Sequence, residues 1–252
     1  MDLSVIIPAL NEDAKIGYDV SVAAEFIADS GMTGEVIVVD DGSTDGTYEV
    51  AVAALVPRGI KRKVLRMGKN WGKGVAVKTG ILAAYGDVVL YADSGSCIPY
   101  ANALPSIWRI REGGLDLALA SRKLKESVIC RRQTLRRRAL SRLFHWAAVV
   151  VGGLPRSISD SQCGFKVCRG EVARTLFVGL ETYGFLFELE IIAKAIKRGY
   201  RVEEFPVEWS CDVDSRLRPG RQAIGIFKEL LRVRSIIRKE KKVDGEFEGH
   251  NT

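Results

Sequence analysis

The chain has 252 residues, of which 47% are hydrophobic and 27% are charged. This composition is that of a globular protein and excludes a disordered chain, and the length suits one domain or one domain with an added arm. The formal net charge of +7 is compatible with nucleic acid, anionic lipid or phosphorylated small molecules. The five cysteines are widely spaced without a CxxC pair, which favours reduced thiols over a zinc site or a disulfide framework.

No segment has the pattern of a signal peptide or a membrane span. The chain passes from Asp2 directly into a short apolar run. The longest uncharged run in the middle, residues 146–155, is far shorter than the roughly 20 residues of a spanning helix. We therefore predict a cytoplasmic protein whose contact with a membrane is peripheral.

Strands and helices alternate through the first half of the chain. Apolar β-branched runs and helical spacing predict four strands with helices between them. Ser43 or Thr44 is expected to cap the second helix, which extends through Leu55. The predicted strands are Leu3–Ile7, Glu35–Val39, Lys63–Arg66 and Val88–Tyr91, and the other predicted helices are Asp13–Ser30 and Lys73–Tyr85.

The same alternation continues, less regularly, to about residue 238. It predicts one α/β domain over residues 1–238, with a mostly parallel sheet covered by helices on both faces. Residues 239–252 are polar and lack an apolar repeat, so we predict a disordered tail. The further predicted strands are Leu115–Ala120 and Arg201–Val207, and the further predicted helices are Arg136–Val151, Glu188–Arg198 and Gln222–Arg238.

Acidic residues follow two of the predicted strands, at the carboxyl ends where such sheets bind ligands. Asp40 and Asp41 come after the second strand, where they either form a turn and helix cap or accept hydrogen bonds from a base and a ribose. Asp93 comes after the fourth strand, where it is either a turn residue or a ligand of Mg²⁺ or Mn²⁺ on a diphosphate.

A glycine-rich segment, NWGKG at residues 70–74, precedes the third helix. Glycines allow close approach of the backbone, and the start of a helix favours an anion. The segment is therefore either an ordinary loop that leads into a helix or part of a phosphate site.

These segments together resemble the family 2 glycosyltransferases of the GT-A fold, over roughly residues 2–235. The dolichyl-phosphate glucosyltransferase branch is the most similar, and the dolichyl-phosphate mannose synthases come next. The matching segments are SVIIPALNE, VIVVDDGSTDGT, NWGKGVAVKTG, the strand that ends at Asp93, ASR at residues 120–122, DSQCGFK at residues 160–166, and FELEI.

The resemblance implies roles for individual residues. Those expected at the nucleotide and the diphosphate are Pro8, Leu10, Glu12, Val39, Asp41, Lys73, Ser94 and Gly95. Asp93 is expected to hold Mg²⁺ or Mn²⁺. Groups expected at the phosphates and the transfer site are Arg122, Arg131, Gln162, Lys166 and Arg216.

The sequence departs from the family pattern at a few of these positions. Family members usually carry Asp-x-Asp after the fourth strand, whereas here the second position is Gly95. This replacement predicts weaker metal binding or a shift of the metal's work to Arg and Lys. Leu10 replaces a usual aromatic residue, Arg216 replaces a usual Lys, and Cys97 stands where the family often has a polar residue.

A basic amphipathic segment over about residues 128–155 bears on the acceptor. Nine Lys or Arg residues against one Glu lie between Arg122 and Arg142, and apolar residues with Trp146 follow. Such a segment suits the headgroup layer of a membrane, or else forms a solvated helix or a nucleic-acid patch. The resemblance favours a polyprenyl or dolichyl phosphate acceptor and a membrane surface over nucleic acid.

Three functions remain open at this point. The first is an inverting transferase that moves a hexose, with glucose from UDP-glucose favoured, to a polyprenyl or dolichyl phosphate. The second is a glycosyltransferase acting on a sugar hydroxyl of a polysaccharide or glycolipid, which needs a base such as Asp160 or Glu188. The third is a nucleotide-binding protein that has lost turnover, as suggested by Gly95.

Overall fold

A computed structural model of the chain describes residues 1–130, 145–184, 186–210 and 219–240. The strands are β1 Leu3–Ala9, β2 Gly34–Asp40, β3 Lys61–Arg66, β4 Val88–Ala92, β5 Leu117–Ser121, β6 Val128–Ile129, β7 Phe165–Arg169, β8 Val202–Pro206 and β9 Glu208–Trp209. The helices are α1 Asp13–Asp29, α2 Thr47–Ala53, α3 Lys73–Leu82, α4 Leu104–Arg111, α5 Gly170–Val178, α6 Phe187–Lys197 and α7 Pro219–Lys239. A 3₁₀ turn spans Tyr100–Ala103, and residues 145–150 are helical.

Within the described residues, the main sheet has seven strands in the order β3-β2-β1-β4-β7-β5-β8. Its pairs are parallel except at β7, which runs antiparallel to both β4 and β5. A small parallel pair of β6 and β9 lies beside it. The predicted α/β class with a mostly parallel sheet is therefore confirmed.

Helices cover both faces of the sheet because its strands carry apolar residues in both directions. On one face, α1 and α4 pack against Val5 and Leu90. On the other, α3 and α5 pack against β1 and β4, which carry Ile6 and Val89, and α6 and α7 pack together in the same layer. Burying each such side chain contributes about 1.5–3 kcal/mol, so both layers hold the strand ends in fixed positions.

Strand β7 is not among the strands predicted from the sequence. Its residues alternate irregularly and include Lys166, which is typical of an exposed segment. In the structure the Lys166 side chain is only 1% exposed, because Glu188 on α6 supplies a buried counter-charge 3.3 Å away. A partner that lies 22 positions further along the chain leaves no mark in the local pattern.

The predicted cap of α2 was wrong. The helix begins at Thr47, and the Asp45 carboxylate accepts hydrogen bonds from the N–H (3.0 Å) and the hydroxyl of that residue. Ser43 instead accepts a hydrogen bond from the Asn11 N–H at 2.8 Å, and the Asn11 side chain accepts one from the Thr44 N–H at 2.8 Å. The turn after β2 is thus joined to the loop after β1.

The helix predicted at Arg136–Val151 lies mostly outside the described residues, as do Arg131 and Arg216. Within the described part, residues 145–150 are helical. None of the helices described is both long enough and apolar enough to cross a membrane.

Candidate active site

A cleft of about 450 Å³ lies at the carboxyl ends of the parallel strands. It is lined by the end of β1, the start of α3, the loop after β4, and the loop that precedes β7. The predicted site residues that line it are Pro8, Leu10, Glu12, Asp41, Lys73, Asp93, Ser94, Arg122 and Gln162. Asp41 and Asp93 thus share one cavity.

Three other predicted site residues do not line the cleft. Val39 is fully buried in the core beneath α3. Lys166 lies below the cleft floor, where its ammonium group reaches Glu188. Gly95 contributes its backbone N–H to a hydrogen bond with Asp19.

Asp41 joins β2 to the NWGKG segment. Its carboxylate accepts hydrogen bonds from the N–H groups of Trp71 (2.8 Å) and Gly72 (2.9 Å). Burial raises the pKa of Asp41 against the lowering effect of these two bonds. Gly72 has φ 102°, and a Cβ there would lie 2.7 Å from the Tyr183 carbonyl oxygen. The close approach that requires a glycine at this position is therefore to protein backbone.

Lys73 lines the cleft and pairs with two carboxylates, those of Asp93 and Glu188. Its ammonium nitrogen lies 2.7 Å from Asp93 Oδ1 and 3.4 Å from Glu188 Oε1. Burial alone would lower the pKa of Lys73, but Asp93 and Glu188 outweigh it and raise that pKa well above its ordinary value. Lys73 therefore remains a cation beside the carboxylate predicted to face the donor diphosphate.

Glu188 lies deeper, beneath this pair. Its carboxylate accepts a hydrogen bond from the Tyr91 hydroxyl at 3.1 Å and pairs with Lys166. Burial alone would raise the pKa of Glu188, but Lys166 and Lys73 lower it below its ordinary value. The residue is thus an ionised anchor for two lysines.

Gly164 contacts Asp93 through a backbone hydrogen bond and through the close approach of its Cα. The Gly164 carbonyl accepts a hydrogen bond from the Asp93 N–H at 2.8 Å, and a Cβ on Gly164 would overlap the Asp93 carboxylate.

We expect Gly164→Ala to displace that carboxylate and to reduce turnover about 10- to 100-fold with little change in circular dichroism. Gly114→Ala, at an exposed turn without a positive φ and with the new Cβ 3.4 Å from its nearest neighbour, is the control for activity. Equal rates for the two variants would contradict this prediction.

Arg122 enters the cleft from the end of β5. Its guanidinium makes a bidentate pair with Asp160, at 2.7 Å and 2.9 Å, and also donates to the Gln162 carbonyl at 3.3 Å. Burial alone would raise the pKa of Asp160, but the hydrogen bonds and charge of Arg122 lower it. The Gln162 side-chain nitrogen is buried and makes no hydrogen bond to the part of the chain that the structure describes.

The Arg122–Asp160 pair has a predictable pH dependence. Because the folded pKa of Asp160 lies below its ordinary 3.8, its stabilisation is complete above that value and is lost as the pH falls through the folded pKa. Arg122→Gln leaves a buried carboxylate without its cation, so its folded pKa rises. We expect this variant to be less stable by about 3 kcal/mol at pH 7 and the deficit to shrink towards pH 4.

Urea midpoints between pH 4 and pH 7 check this expectation. The control is Arg109→Gln, which removes an exposed pair with Glu203 and should cost at most about 1 kcal/mol. A deficit for Arg122→Gln that does not change with pH would contradict the predicted effect.

Asp19, which accepts hydrogen bonds from the loop after β4, is not among the predicted site residues. A signal was present, since Asp19 interrupts an apolar stripe formed by Ile16, Val20, Ala23 and Ile27. An acid on the buried face of a helix indicates a polar partner, but the partner lies 76 residues away and spacing cannot identify it.

Comparisons with known proteins agree with this arrangement. The profile of glycosyl transferase family 2 matches residues 4–176. The chain is 30% identical over 250 residues to dolichyl-phosphate beta-glucosyltransferase of Saccharomyces cerevisiae, covering 92% of this chain and 74% of the relative. It is 32% identical over 270 residues to the Drosophila melanogaster protein of the same name, covering 96% and 80%. The chain belongs to glycosyl transferase family 2.

The fold of this family 2 glycosyltransferase is also that of a solved enzyme. Glucosyl-3-phosphoglycerate synthase from Mycobacterium tuberculosis, crystallised with Mn²⁺, UDP-glucose and phosphoglyceric acid, superposes with a TM-score of 0.66 at 20% identity. The match covers 94% of this chain and 79% of that one. Because only 20% of the residues are identical, this similarity establishes the GT-A fold alone.

Asp93 is the cleft carboxylate that the family resemblance assigns to a divalent ion on the donor. Asp93 reaches the cleft with its side chain 46% exposed. Among the described residues there is no group of three or more His, Cys, Asp or Glu side chains that would hold a metal alone. Mg²⁺ is commonly held by one or two carboxylates together with substrate phosphates and water, so Asp93 fits such an ion when the donor diphosphate completes the site.

Proposed function

We propose that this glycosyltransferase moves glucose from UDP-glucose to a polyprenyl or dolichyl phosphate, with inversion at the anomeric carbon. The relatives from yeast and fruit fly, each spanned over about three quarters of its length, carry the name dolichyl-phosphate beta-glucosyltransferase. The synthase that shares the fold was crystallised with UDP-glucose and Mn²⁺. The name of the relatives supports glucose transfer to a dolichyl phosphate, and the complex of the synthase supports UDP-glucose as the donor.

The observation that carries the proposal is that the carboxylates near Lys73 and Arg122, the cations expected at the donor diphosphate, are each paired with a cation. Asp93 pairs with Lys73, and Glu188 pairs with Lys73 and Lys166. Asp160 is held by Arg122. A sugar hydroxyl needs a base to remove its proton, whereas a phosphate monoester is already an anion at neutral pH.

The two bases considered for a hydroxyl acceptor are poorly suited to that task. Asp160 and Glu188 both have a lowered pKa, because their cationic partners outweigh the effect of burial. A carboxylate with a lowered pKa is a weaker base, and effective general bases have pKa values near the operating pH. This arrangement favours the phosphate acceptor.

The proposed reaction is a single displacement. An oxygen of the lipid phosphate attacks the anomeric carbon, and the bond from that carbon to the diphosphate oxygen breaks with its electron pair leaving on UDP. Lys73 and Arg122 would stabilise the charge of the leaving diphosphate. They would also offset the repulsion between two anions, about 4 kcal/mol per pair of unit charges 4 Å apart at an effective dielectric of 20. A divalent ion on Asp93 supplies further neutralisation when bound.

A transfer assay tests the proposal. The protein is incubated with radiolabelled UDP-glucose, Mn²⁺ and a polyprenyl phosphate in detergent, and the label that passes into an organic extract is counted. We expect labelled lipid with UDP-glucose, less with GDP-mannose, and none when the corresponding polyprenol replaces its phosphate. Failure to label the lipid with any nucleotide sugar would contradict the proposal. So would transfer to the free polyprenol at the rate seen with the phosphate.

A lipid acceptor requires a membrane-facing surface, and we propose that it includes residues 145–150 and α7. Trp146 and Val150 lie one helical turn apart and are 59% and 50% exposed. On α7, Leu231 is 47% exposed, and Lys228, Arg232 and Arg234 lie within one helical turn of it. The Arg234 guanidinium donates to the Val150 carbonyl at 3.3 Å and so joins the two elements. Exposed Trp and aliphatic residues among cations suit an anionic headgroup layer.

Removal of this apolar surface should release the protein from vesicles. We expect Trp146→Ala with Leu231→Ala to reduce sedimentation with vesicles of 30% phosphatidylserine about 10-fold, with unchanged UDP binding. The control is Trp108→Ala, since Trp108 is 45% exposed on α4, an element that lies on the other face of the sheet from α7. Equal loss in both variants would contradict this surface.

A further inference from the structure

The loop after β4 has an unusual backbone. Gly95 and Ser96 both adopt the left-handed region, with φ values of 98° and 44°. A serine there is uncommon, and a residue with a Cβ is strained by about 1–2 kcal/mol. Such a conformation persists only where surrounding contacts fix it. The loop therefore needs an anchor.

Asp19 on α1 is that anchor. Its carboxylate accepts hydrogen bonds from the Gly95 N–H at 2.8 Å and from the Ser96 hydroxyl at 2.5 Å. Asp19 is only 2% exposed. Hydrogen bonds to a charged acceptor in such a setting are stronger than those between neutral groups. One buried side chain thus holds both left-handed residues.

The anchored loop presents groups to the cleft. It begins with Asp93, whose N–H donates to the Gly164 carbonyl at 2.8 Å. Ser94 and Ser96 also line the cleft. The loop is therefore fixed by Gly164, the residue before β7, and by Asp19 on α1. Position 95 contributes a backbone N–H to this anchorage and has no side chain to offer a ligand.

We propose that Asp19 is a positioning residue that fixes the 93–97 loop and so directs Asp93 and Ser94 to the donor diphosphate. This proposal rests on the proposed function. It implies that Gly95→Asp does not add a second donor-binding carboxylate. A Cβ at that position would be strained at φ 98°, and the N–H there is committed to Asp19.

Two substitutions of Asp19 separate geometry from charge. Asp19→Ala removes both hydrogen bonds. Asp19→Asn keeps the shape, because its oxygen accepts the Gly95 N–H while its amide donates to the Ser96 hydroxyl. Positioning predicts that asparagine rescues function, whereas a direct electrostatic role of Asp19 predicts that it does not. Ser96→Ala removes one of the two bonds, and Glu25→Ala removes an exposed acid from the same helix.

The experiment measures the calorimetric Kd for UDP with Mn²⁺, together with kcat and the KM for donor and acceptor. We expect Asp19→Ala to weaken UDP binding about 10- to 100-fold, as is typical when a residue that orients a ligand-binding group is lost, with an unchanged KM for the lipid phosphate. Ser96→Ala should have a smaller effect, Asp19→Asn should stay within about 3-fold of the wild type, and Glu25→Ala should match it.

The outcomes are distinguishable. Unchanged UDP affinity in Asp19→Ala would overturn the positioning role, and so would an Asp19→Asn variant as impaired as the alanine variant. If Asp19→Ala does not fold, Asp19→Asn and Ser96→Ala decide the matter, because the proposal requires rescue in the first and a partial loss in the second. A wild-type protein that binds UDP but transfers no glucose would contradict the proposed function and leave the UDP measurements as the test of Asp19.

Discussion

Asp93→Asn is expected to reduce glucose transfer about 10²- to 10³-fold, the loss seen when one group that stabilises transition-state charge is removed. Asp93 is the carboxylate that faces the cleft beside Lys73, at 2.7 Å. Asparagine keeps the shape but loses the charge that would fix Lys73 and a divalent ion. Initial rates with saturating UDP-glucose and lipid phosphate give the size of the loss.

The control for this variant lies at the opposite end of the same strand. Asp87 directly precedes β4, and its side chain is 76% exposed beside the terminal amino group. Asp87→Asn changes the net charge by the same amount and should leave the rate unchanged. Equal rates for Asp93→Asn and the wild type would remove Asp93 from the mechanism.

Glu188→Gln is expected to lower both stability and activity. The substitution leaves the ammonium group of Lys166, 1% exposed, without its anion. Breaking a buried pair in this way costs about 3–5 kcal/mol. Lys73 loses its second carboxylate as well, so transfer should fall together with the free energy of unfolding. Urea unfolding monitored by tryptophan fluorescence measures the first effect, and initial rates measure the second.

A matched acid on the surface shows what a pair costs when it is not buried. Glu171 on α5 is 68% exposed and lies 3.6 Å from Arg169. Glu171→Gln should change the free energy of unfolding by at most about 1 kcal/mol. A Glu188→Gln variant as stable as Glu171→Gln would show that the buried network does not hold the cleft floor.

Local patterns predicted the parallel part of the sheet correctly. The run VIVVD at residues 36–40 is apolar until the strand ends, which is typical of a strand buried on both faces. The same rule failed at β7, where Lys166 breaks the apolar run. It also missed α4 and α5, although the buried residues Val172, Ala173, Leu176 and Phe177 of α5 have helical spacing. The burial of Lys166 on β7 depends on Glu188, which is distant in the sequence, so the local pattern does not predict this strand.

The sequence predicted the position of the cleft but not the contacts within it. Because the ends of parallel strands meet at one edge, Asp41 and Asp93 were expected together, and the structure places both along one cavity. The partners of these acids were not predictable from spacing. Asp41 binds two N–H groups of the NWGKG segment, and Asp93 pairs with Lys73. Such contacts follow from how α3 packs across the sheet.

A crystal structure of the protein with UDP and Mn²⁺ provides the sharpest test of how the donor is bound. We expect the uridine between Pro8 and Asp41, and the diphosphate within hydrogen-bond distance of Lys73 on the side of Asp93. A second cavity of about 360 Å³ lies at the opposite end of β4, lined in part by Arg111 and Arg169. UDP bound there, with the cleft at the carboxyl ends of the strands left empty, would contradict the proposed donor site.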